Sequence, residues 1–140
     1  MRKALDTNIV VRFLLDDGSK EVPIAREVFR QESVEIPSSV VLECEWVLRS
    51  IYKIKPKEIC DAFSALLSLE NVLVHNEHIL VEAIQAHRQG VDFADAFHLL
   101  FAEKSDEFFT FDDDFKKSAK RLQGTLPVRK PTLASLGRKP

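Results

Sequence analysis

The sequence lacks the features that mark membrane, secreted and metal-thiolate proteins. No run of about 18 apolar residues is present, which argues against a transmembrane helix. The N-terminus passes from Met1-Arg2-Lys3 directly into strand-like sequence, without the apolar region of a signal peptide. Only two cysteines occur, Cys44 and Cys60, and they form no CxxC pair, so no zinc or redox site is indicated. We therefore expect a cytoplasmic protein with two reduced, packed thiols.

Motifs of several enzyme classes are also missing. No Gly-x-x-x-x-Gly-Lys-Ser/Thr loop of a P-loop NTPase occurs, and Ser38-Ser39 lacks the Gly-x-Ser-x-Gly context of a nucleophilic serine. The four histidines match no metal-ligand spacing, which favours structural roles for them. The length of 140 residues with 45% hydrophobic residues fits one domain with a core. We place this domain at residues 1–130 and a C-terminal tail at residues 131–140.

Acidic residues are absent from the C-terminal end of the chain. Residues 1–114 contain 12 Lys and Arg against all 22 Asp and Glu, whereas residues 115–140 contain eight Lys and Arg and no acid. Such asymmetry is typical of a protein with a polyanionic or acidic partner, although a solvated helix followed by a loose tail gives the same pattern. The candidates for phosphate contacts are Lys116, Lys117, Lys120 and Arg121.

Short apolar strands alternate with helical patterns along the chain. The strands are predicted near residues 3–5, 34–36, 72–74, 108–111 and 126–128. This alternation predicts an α/β domain with a largely parallel sheet. In open parallel sheets, functional groups gather beyond the carboxyl ends of the strands.

Four carboxylates lie inside or beside apolar segments near that predicted edge. Asp6 follows the first strand, Glu43 lies one turn into the helix after the second, and Asp112 follows the fourth. Asp95 lies at the start of a helix that Asp92 precedes. Charged side chains in apolar settings are usually paired or bound to a metal ion, and carboxylates favour hard cations such as Mg²⁺ or Mn²⁺. Clustered acids of this kind suggest metal-assisted phosphoryl transfer.

Each carboxylate also has a structural interpretation. Asp6 suits a turn or a helix N-cap, Asp92 suits an N-cap, and residues 112–114 form an acidic first turn that favours the helix dipole. For Glu43, the apolar neighbours argue against a position on the solvent face of the helix. The coincidence of four such acids at one predicted edge favours a common site over four separate structural roles.

Taken in order, four motifs resemble those of PIN domains, and the small single-domain form resembles VapC-type toxins of toxin–antitoxin pairs. The motifs are Leu5-Asp6-Thr7-Asn8-Ile9, Val41-Leu42-Glu43, Phe93-Ala94-Asp95-Ala96 and Thr110-Phe111-Asp112-x-Asp114-Phe115. The resemblance extends from Asp6 to about Val128. It implies a three-layer α/β/α fold around a central parallel sheet of four or five strands.

The resemblance further implies an endoribonuclease that depends on Mg²⁺ or Mn²⁺ and leaves 3′-hydroxyl and 5′-phosphate ends. Supporting polar groups that orient the metal-bound carboxylates are expected beside them. The residues implied are Asp6, Glu43, Asp95 and Asp112 for metal binding and catalysis, and Asn8, Thr110 and Asp114 for their support.

Partners are implied as well. VapC-type toxins are commonly homodimers, and a cognate VapB-type antitoxin blocks the site with a C-terminal segment that often carries a basic residue. An acidic site would attract such a residue. The implied substrate is single-stranded or looped RNA, with transfer RNA as one expectation beside ribosomal and messenger RNA.

Two other functions fit parts of the sequence. A haloacid dehalogenase-like phosphatase also begins with an aspartate at a strand end, but that class expects Asp-x-Asp where this chain has Asp6-Thr7-Asn8. A PIN-like domain that only binds RNA or protein is expected to have lost one or more of the four acids, and all four are present here.

Overall fold

The computed structural model describes residues 1–122 and 124–137 and shows the predicted alternation of strands and helices. Arg138 and Lys139 of the basic C-terminal stretch, and the end of the predicted tail, lie outside the described residues. The elements are β1 (Arg2–Ala4), α1 (Thr7–Leu14), α2 (Val22–Gln31), β2 (Ser33–Glu35), α3 (Ser38–Ser50), α4 (Pro56–Leu67), β3 (Val72–Leu73), α5 (Glu77–Arg88), α6 (Phe93–Phe101), β4 (Phe108–Phe109), α7 (Asp113–Lys120) and β5 (Val128–Arg129).

Local sequence signals explain most helix starts. Asp6, Asp92 and Asp112 are the N-caps of α1, α6 and α7, and each side chain accepts a backbone N–H of the first turn. Proline occupies the first turn of α2 and of α4, where its missing N–H costs nothing. The start of α3 has no side-chain cap: Pro37 precedes the helix, and the Ser38 hydroxyl donates to the His75 carbonyl at 3.3 Å.

The strands form two parallel sheets in the described part of the chain. One has the order β1-β2-β3 and the other pairs β4 with β5. The fold is therefore of the predicted α/β class, but the single central sheet of four or five strands is divided into three and two. All residues of β1 are exposed, and the charged Arg2 and Lys3 on this edge strand disfavour pairing with a further strand.

The core lies around β2 and between the helices. Val34 and Ile36, at the centre and after the end of β2, are completely buried, and Phe63 and Phe93 are among the largest buried side chains. Helix α3 contacts α1, α4 and α6, so the helix that carries Glu43 is held from three sides. No helix among the described residues is both long and apolar enough to cross a membrane.

Both cysteines are buried and free, as expected from the sequence. Burial raises the pKa of Cys44 to about 12, with the negative charges of Glu43 and Asp6 adding to the effect. Burial likewise raises the pKa of Cys60. Both thiols therefore stay protonated near neutral pH and pack as small apolar groups.

Candidate active site

One half of the candidate site joins the start of α1 to α3. Asp6 follows β1, and its Oδ1 accepts the backbone N–H of Thr7 at 2.7 Å. The hydroxyl of Thr7 donates to Oε1 of Glu43, and Thr7 itself is buried. The side chains of Asp6 and Glu43 are exposed, so both carboxylates are accessible from solvent. Thr7 therefore links Glu43 to the start of α1, next to Asp6.

The position of Glu43 corrects one prediction. Its apolar neighbours argued against a solvent-facing side chain, yet Glu43 is exposed and Glu45, two residues later, is buried. Successive residues of an α-helix are rotated by about 100°, so positions two apart point in nearly opposite directions. The neighbours in sequence therefore describe the buried face of α3, which Glu43 does not share.

The other half of the site is built on α6 and α7. Asp95 lies in the first turn of α6, and its backbone N–H donates to Oδ1 of the N-cap Asp92 at 3.0 Å. Burial and the charge of Asp92 raise the pKa of Asp95, and the charge of Asp112 acts in the same direction. A hydrogen bond from Ser118 of α7 partly offsets the rise. Asp95 and Asp112 are thus close enough for their charges to interact.

Asp112 is held by backbone contacts on both sides. Its Oδ1 accepts the N–H groups of Asp114 at 2.8 Å and Phe115 at 3.3 Å, while its own N–H donates to the Thr110 hydroxyl at 3.0 Å. Phe115 is buried, which anchors this turn. Thr110 therefore positions the backbone of Asp112, and Asp114 contributes its N–H while its carboxylate remains exposed. The neighbouring Asp113 instead pairs with Lys130 at 3.2 Å.

The four acids lie in two pairs, and the structure does not gather them at one point. Within residues 1–122 and 124–137, no three Asp, Glu, His or Cys side chains form a group able to hold one metal ion. The donor chemistry suits a hard divalent cation, because the groups are carboxylates and the nearby thiol of Cys44 stays protonated. The donors therefore fit such a cation by chemistry, but their positions do not complete a site for it.

Comparison with known protein families matches the PIN domain over residues 3–121, which is most of the chain. The chain belongs to the PIN domain family. PIN domains are generally metal-dependent nucleases that act on RNA or DNA. A comparison with curated proteins gives no match.

The predicted RNA-contacting cations of this PIN domain are spread over several surfaces. Lys116 and Lys120 line a cavity of about 240 Å³ together with Val128 of β5. Arg121 donates to the Gln89 carbonyl at the end of α5, at 2.5 Å. It also packs on Gly90, where a Cβ would meet the guanidinium at 3.3 Å and where φ is +100°.

Lys117 is exposed on α7, one residue before the Ser118 that bonds Asp95. Asn8 was predicted to support the carboxylates. In the structure it lines a cavity between α1 and α2, and its backbone carbonyl accepts from Arg12 at 3.4 Å. The supporting role of Asn8 and the RNA contacts of the basic residues stay predictions.

A buried ionic cluster behind the site was missed by sequence reasoning. Glu45 of α3 is 2% exposed and His87 of α5 is 7% exposed, and their Oε2 and Nε2 atoms lie 3.1 Å apart. Arg49 donates to the same carboxylate at 2.8 and 3.3 Å. The signal that was available is the spacing of Glu45 and Arg49, since opposite charges four residues apart meet on one helix face.

The ring of His87 is oriented by the loop that leads to Asp92. Its Nδ1 donates to the Val91 carbonyl at 2.8 Å, so Nδ1 carries a proton. A neutral ring would then direct the lone pair of Nε2 at the Glu45 carboxylate. Burial opposes the charged ring, but the contacts with Glu45 and Val91 outweigh it and raise the pKa of His87. The cluster thus joins α3, α5 and the start of α6, which carry two of the four acids.

Proposed function

We propose that this protein is an endoribonuclease that depends on Mg²⁺ or Mn²⁺ and acts as the toxin of a VapBC-type toxin–antitoxin pair. The observation that supports the proposal is the presence of Asp6, Glu43, Asp95 and Asp112 in a PIN domain, each held by a backbone or hydroxyl contact. A bound divalent cation would neutralise the charge on phosphate oxygens and lower the pKa of water.

The residues themselves have defined tasks in this proposal. The Thr7 hydroxyl donates to Glu43 and so limits the orientations of that carboxylate, while Ser118 acts to lower the pKa of Asp95. In both Asp6 and Asp112, the capping N–H of the helix is accepted by Oδ1. RNA rather than duplex DNA is proposed as the substrate because the backbone of an unpaired strand can bend towards the acids more readily than a duplex can.

Removal of divalent ions tests the enzymatic part of the proposal. Purified protein should cut a labelled single-stranded RNA in the presence of Mg²⁺ or Mn²⁺, and chelation with EDTA should reduce cleavage to background. Sequencing of the cleaved ends should find 3′-hydroxyl and 5′-phosphate groups, and cellular RNA treated in the same way should show whether transfer RNA is preferred. Ends with 2′,3′-cyclic phosphate, or cleavage that persists in EDTA, would contradict a metal-dependent hydrolysis.

A domain that binds RNA without cutting it is the second candidate. The observation that favours it is the division of the four acids into two pairs, with no group of three within the described residues. Normal RNA affinity with no cleavage in either ion would support this candidate. The same binding and cleavage assays therefore decide between the two functions.

The toxin role adds a homodimer and an antitoxin to the proposal. Light scattering of the purified protein should give twice the mass of one chain. Brief expression in cells should arrest growth, and co-expression of a small antitoxin gene that neighbours the toxin gene should relieve the arrest. A basic antitoxin residue directed at Asp6 or Asp95 would form a charge-assisted hydrogen bond there. Growth arrest by the Asp6→Asn variant would show that any toxicity is unrelated to cleavage.

The proposed RNA contacts of α7 predict a change in salt dependence. The double variant Lys116→Ala/Lys117→Ala should weaken binding of single-stranded RNA and reduce the slope of log affinity against log salt by about 1.4, or about 0.7 for each lost phosphate contact. Lys57→Ala, which removes an exposed lysine of α4, is the matched control and should leave the slope unchanged. Equal slopes for the double variant and the native protein would place the RNA elsewhere.

A further inference from the structure

A groove runs along one face of α3 to the start of α6. It encloses about 380 Å³, which is within the range of about 300–1,000 Å³ typical of ligand pockets. Five of its lining residues on α3 are spaced three or four positions apart and share one helix face. They are Ser39, Leu42, Glu43, Trp46 and Arg49, and the buried Glu45, which accepts from Arg49, and Ala94 of α6 complete the lining. Because Glu43 lines the groove and Ala94 precedes Asp95, the groove opens beside the candidate active site.

Trp46 gives this groove an aromatic wall. It is the only tryptophan of the chain, and 53% of it is exposed. The indole presents a large flat apolar face to solvent, although three sides of α3 are packed against other helices. Aromatic faces of this kind are the surfaces on which unstacked nucleic-acid bases bind.

Arg49 gives the groove a fixed cation one turn beyond Trp46. Its guanidinium is held by Glu45 through two hydrogen bonds, while 39% of the side chain remains exposed. Glu45 is in turn buried against His87, so the guanidinium of Arg49 is held in position by a buried carboxylate. A planar guanidinium held in this way is suited to a phosphate or to the face of a base.

The charges of the groove are arranged along its length. Glu43 lies at the end near Asp6, and Arg49 lies six residues later, about 9 Å along the helix axis at 1.5 Å per residue. A strand whose scissile phosphate lies at the acids therefore meets a cation after leaving them. This order of acid, aromatic ring and arginine distinguishes the groove from a simple apolar patch.

We propose that this groove is a subsite for one unpaired nucleotide of single-stranded RNA, with its base stacked on Trp46 and its phosphate at Arg49. The inference rests on the proposed function and adds to it the recognition of a nucleotide flanking the cleaved bond. A second protein chain is the less suitable occupant, because the lining includes Glu43, Glu45 and Ser39, and glutamate and serine are depleted at protein interfaces.

The single tryptophan allows a direct binding experiment without cleavage. A short single-stranded oligoribonucleotide of mixed sequence is titrated into the protein in EDTA while Trp46 emission is recorded, and anisotropy of the labelled RNA is measured in parallel. We expect saturable quenching with the same midpoint as the anisotropy change. The same RNA annealed to its complement should quench weakly, because its bases are already stacked.

Matched variants separate stacking from loss of fold. Trp46→Ala should weaken RNA binding about tenfold, whereas Trp46→Phe should retain most of the affinity because it keeps an aromatic face. Ile51→Ala removes an apolar side chain that is 59% exposed at the end of the same helix but outside the groove lining, and it should bind as the native protein does. Circular dichroism spectra and melting temperatures of all three variants should match the native protein.

The outcomes distinguish this inference from the proposed function. Quenching with loss of affinity in Trp46→Ala supports the subsite even if no metal ion elicits cleavage, in which case only the enzymatic proposal fails. RNA binding with unchanged Trp46 emission and native affinity in Trp46→Ala overturns the subsite and leaves the enzyme proposal intact. If Trp46 emission depends on protein concentration but not on RNA, the surface is assigned to a second copy of the chain and the subsite is overturned. Absence of RNA binding also overturns the subsite.

Discussion

Asp6→Asn is expected to reduce metal-dependent RNA cleavage by about 100-fold or more. The substitution removes one negative charge from the pair formed with Glu43 but keeps a side-chain oxygen for the Thr7 N–H, and Asn caps helices about as well as Asp. Loss of a group that merely orients a metal ligand commonly costs 10- to 100-fold, so loss of a direct ligand should reach at least the upper end of that range. Initial rates on a labelled single-stranded RNA at saturating Mg²⁺ measure the effect.

Asp92→Asn is the matched control for this experiment. Asp92 is also an exposed aspartate that caps a helix, and its Oδ1 accepts the Asp95 N–H at 3.0 Å, but it is not among the proposed metal ligands. We expect its cleavage rate to stay within about threefold of the native rate, with little loss of stability. If Asp6→Asn cleaves RNA at the native rate after removal of contaminating nucleases, Asp6 is not part of the active site. An equal loss in both variants would instead show that the caps, rather than the charge of Asp6, determine activity.

The local chemistry of the acids could be predicted because it depends on near neighbours in the sequence. A carboxylate that follows a strand and precedes a helix has a backbone N–H to accept, and this holds for Asp6 and Asp112. The same reasoning gave Asp92 its N-cap role, which the structure confirms. Neighbouring residues in the sequence cannot distinguish a helix N-cap from a metal ligand, because Asp6 and Asp112 fit both roles.

Contacts between distant segments could not be predicted in the same way. The bond between Thr7 and Glu43 and the pair of Glu45 with His87 join residues about 40 positions apart, and nothing local requires either. The direction of a side chain on α3 depends on how the whole helix packs, which is why Glu43 was assigned to the wrong environment. The predicted strand over residues 108–111 is also shorter, ending at Phe109, because the ladder with β5 has only two residue pairs and Phe111 beyond it is 77% exposed.

The division of the sheet follows from the same limit. Alternating strands and helices predict parallel pairing but do not say which strands are neighbours, and two or three residues per strand leave each ladder short. This matters for function because Asp6 follows β1 in one sheet while Asp112 follows β4 in the other. The order of the strands in space, which the alternation does not fix, therefore decides how Asp6 and Asp112 are placed relative to each other.

His87→Ala is expected to lower the free energy of unfolding by about 3–5 kcal/mol at pH 6, the cost of leaving a buried charge without one of its partners. The affected charge is that of Glu45, which is 2% exposed and keeps only Arg49 in the variant. Burial disfavours the ionised Glu45, but the contacts with His87 and Arg49 hold its pKa below the usual value. Urea unfolding followed by circular dichroism measures the loss, and His87→Gln, which keeps a neutral donor, should lose less.

The pH dependence of this loss tests whether the pair is ionic. The charged groups that face His87 are Glu45, with Arg49 behind it, and Asp92, and together with the Val91 carbonyl they raise the pKa of His87 above its usual 6.5 despite burial. A raised folded-state pKa contributes stability that is fully present below about pH 6.5 and is lost as the pH rises through the folded-state value. The difference in unfolding free energy between the native protein and His87→Ala should therefore shrink from pH 6 to pH 9. A difference that is constant or grows over this range would mean that His87 packs as a neutral ring, and Glu45 would then be held by Arg49 without a charge on α5.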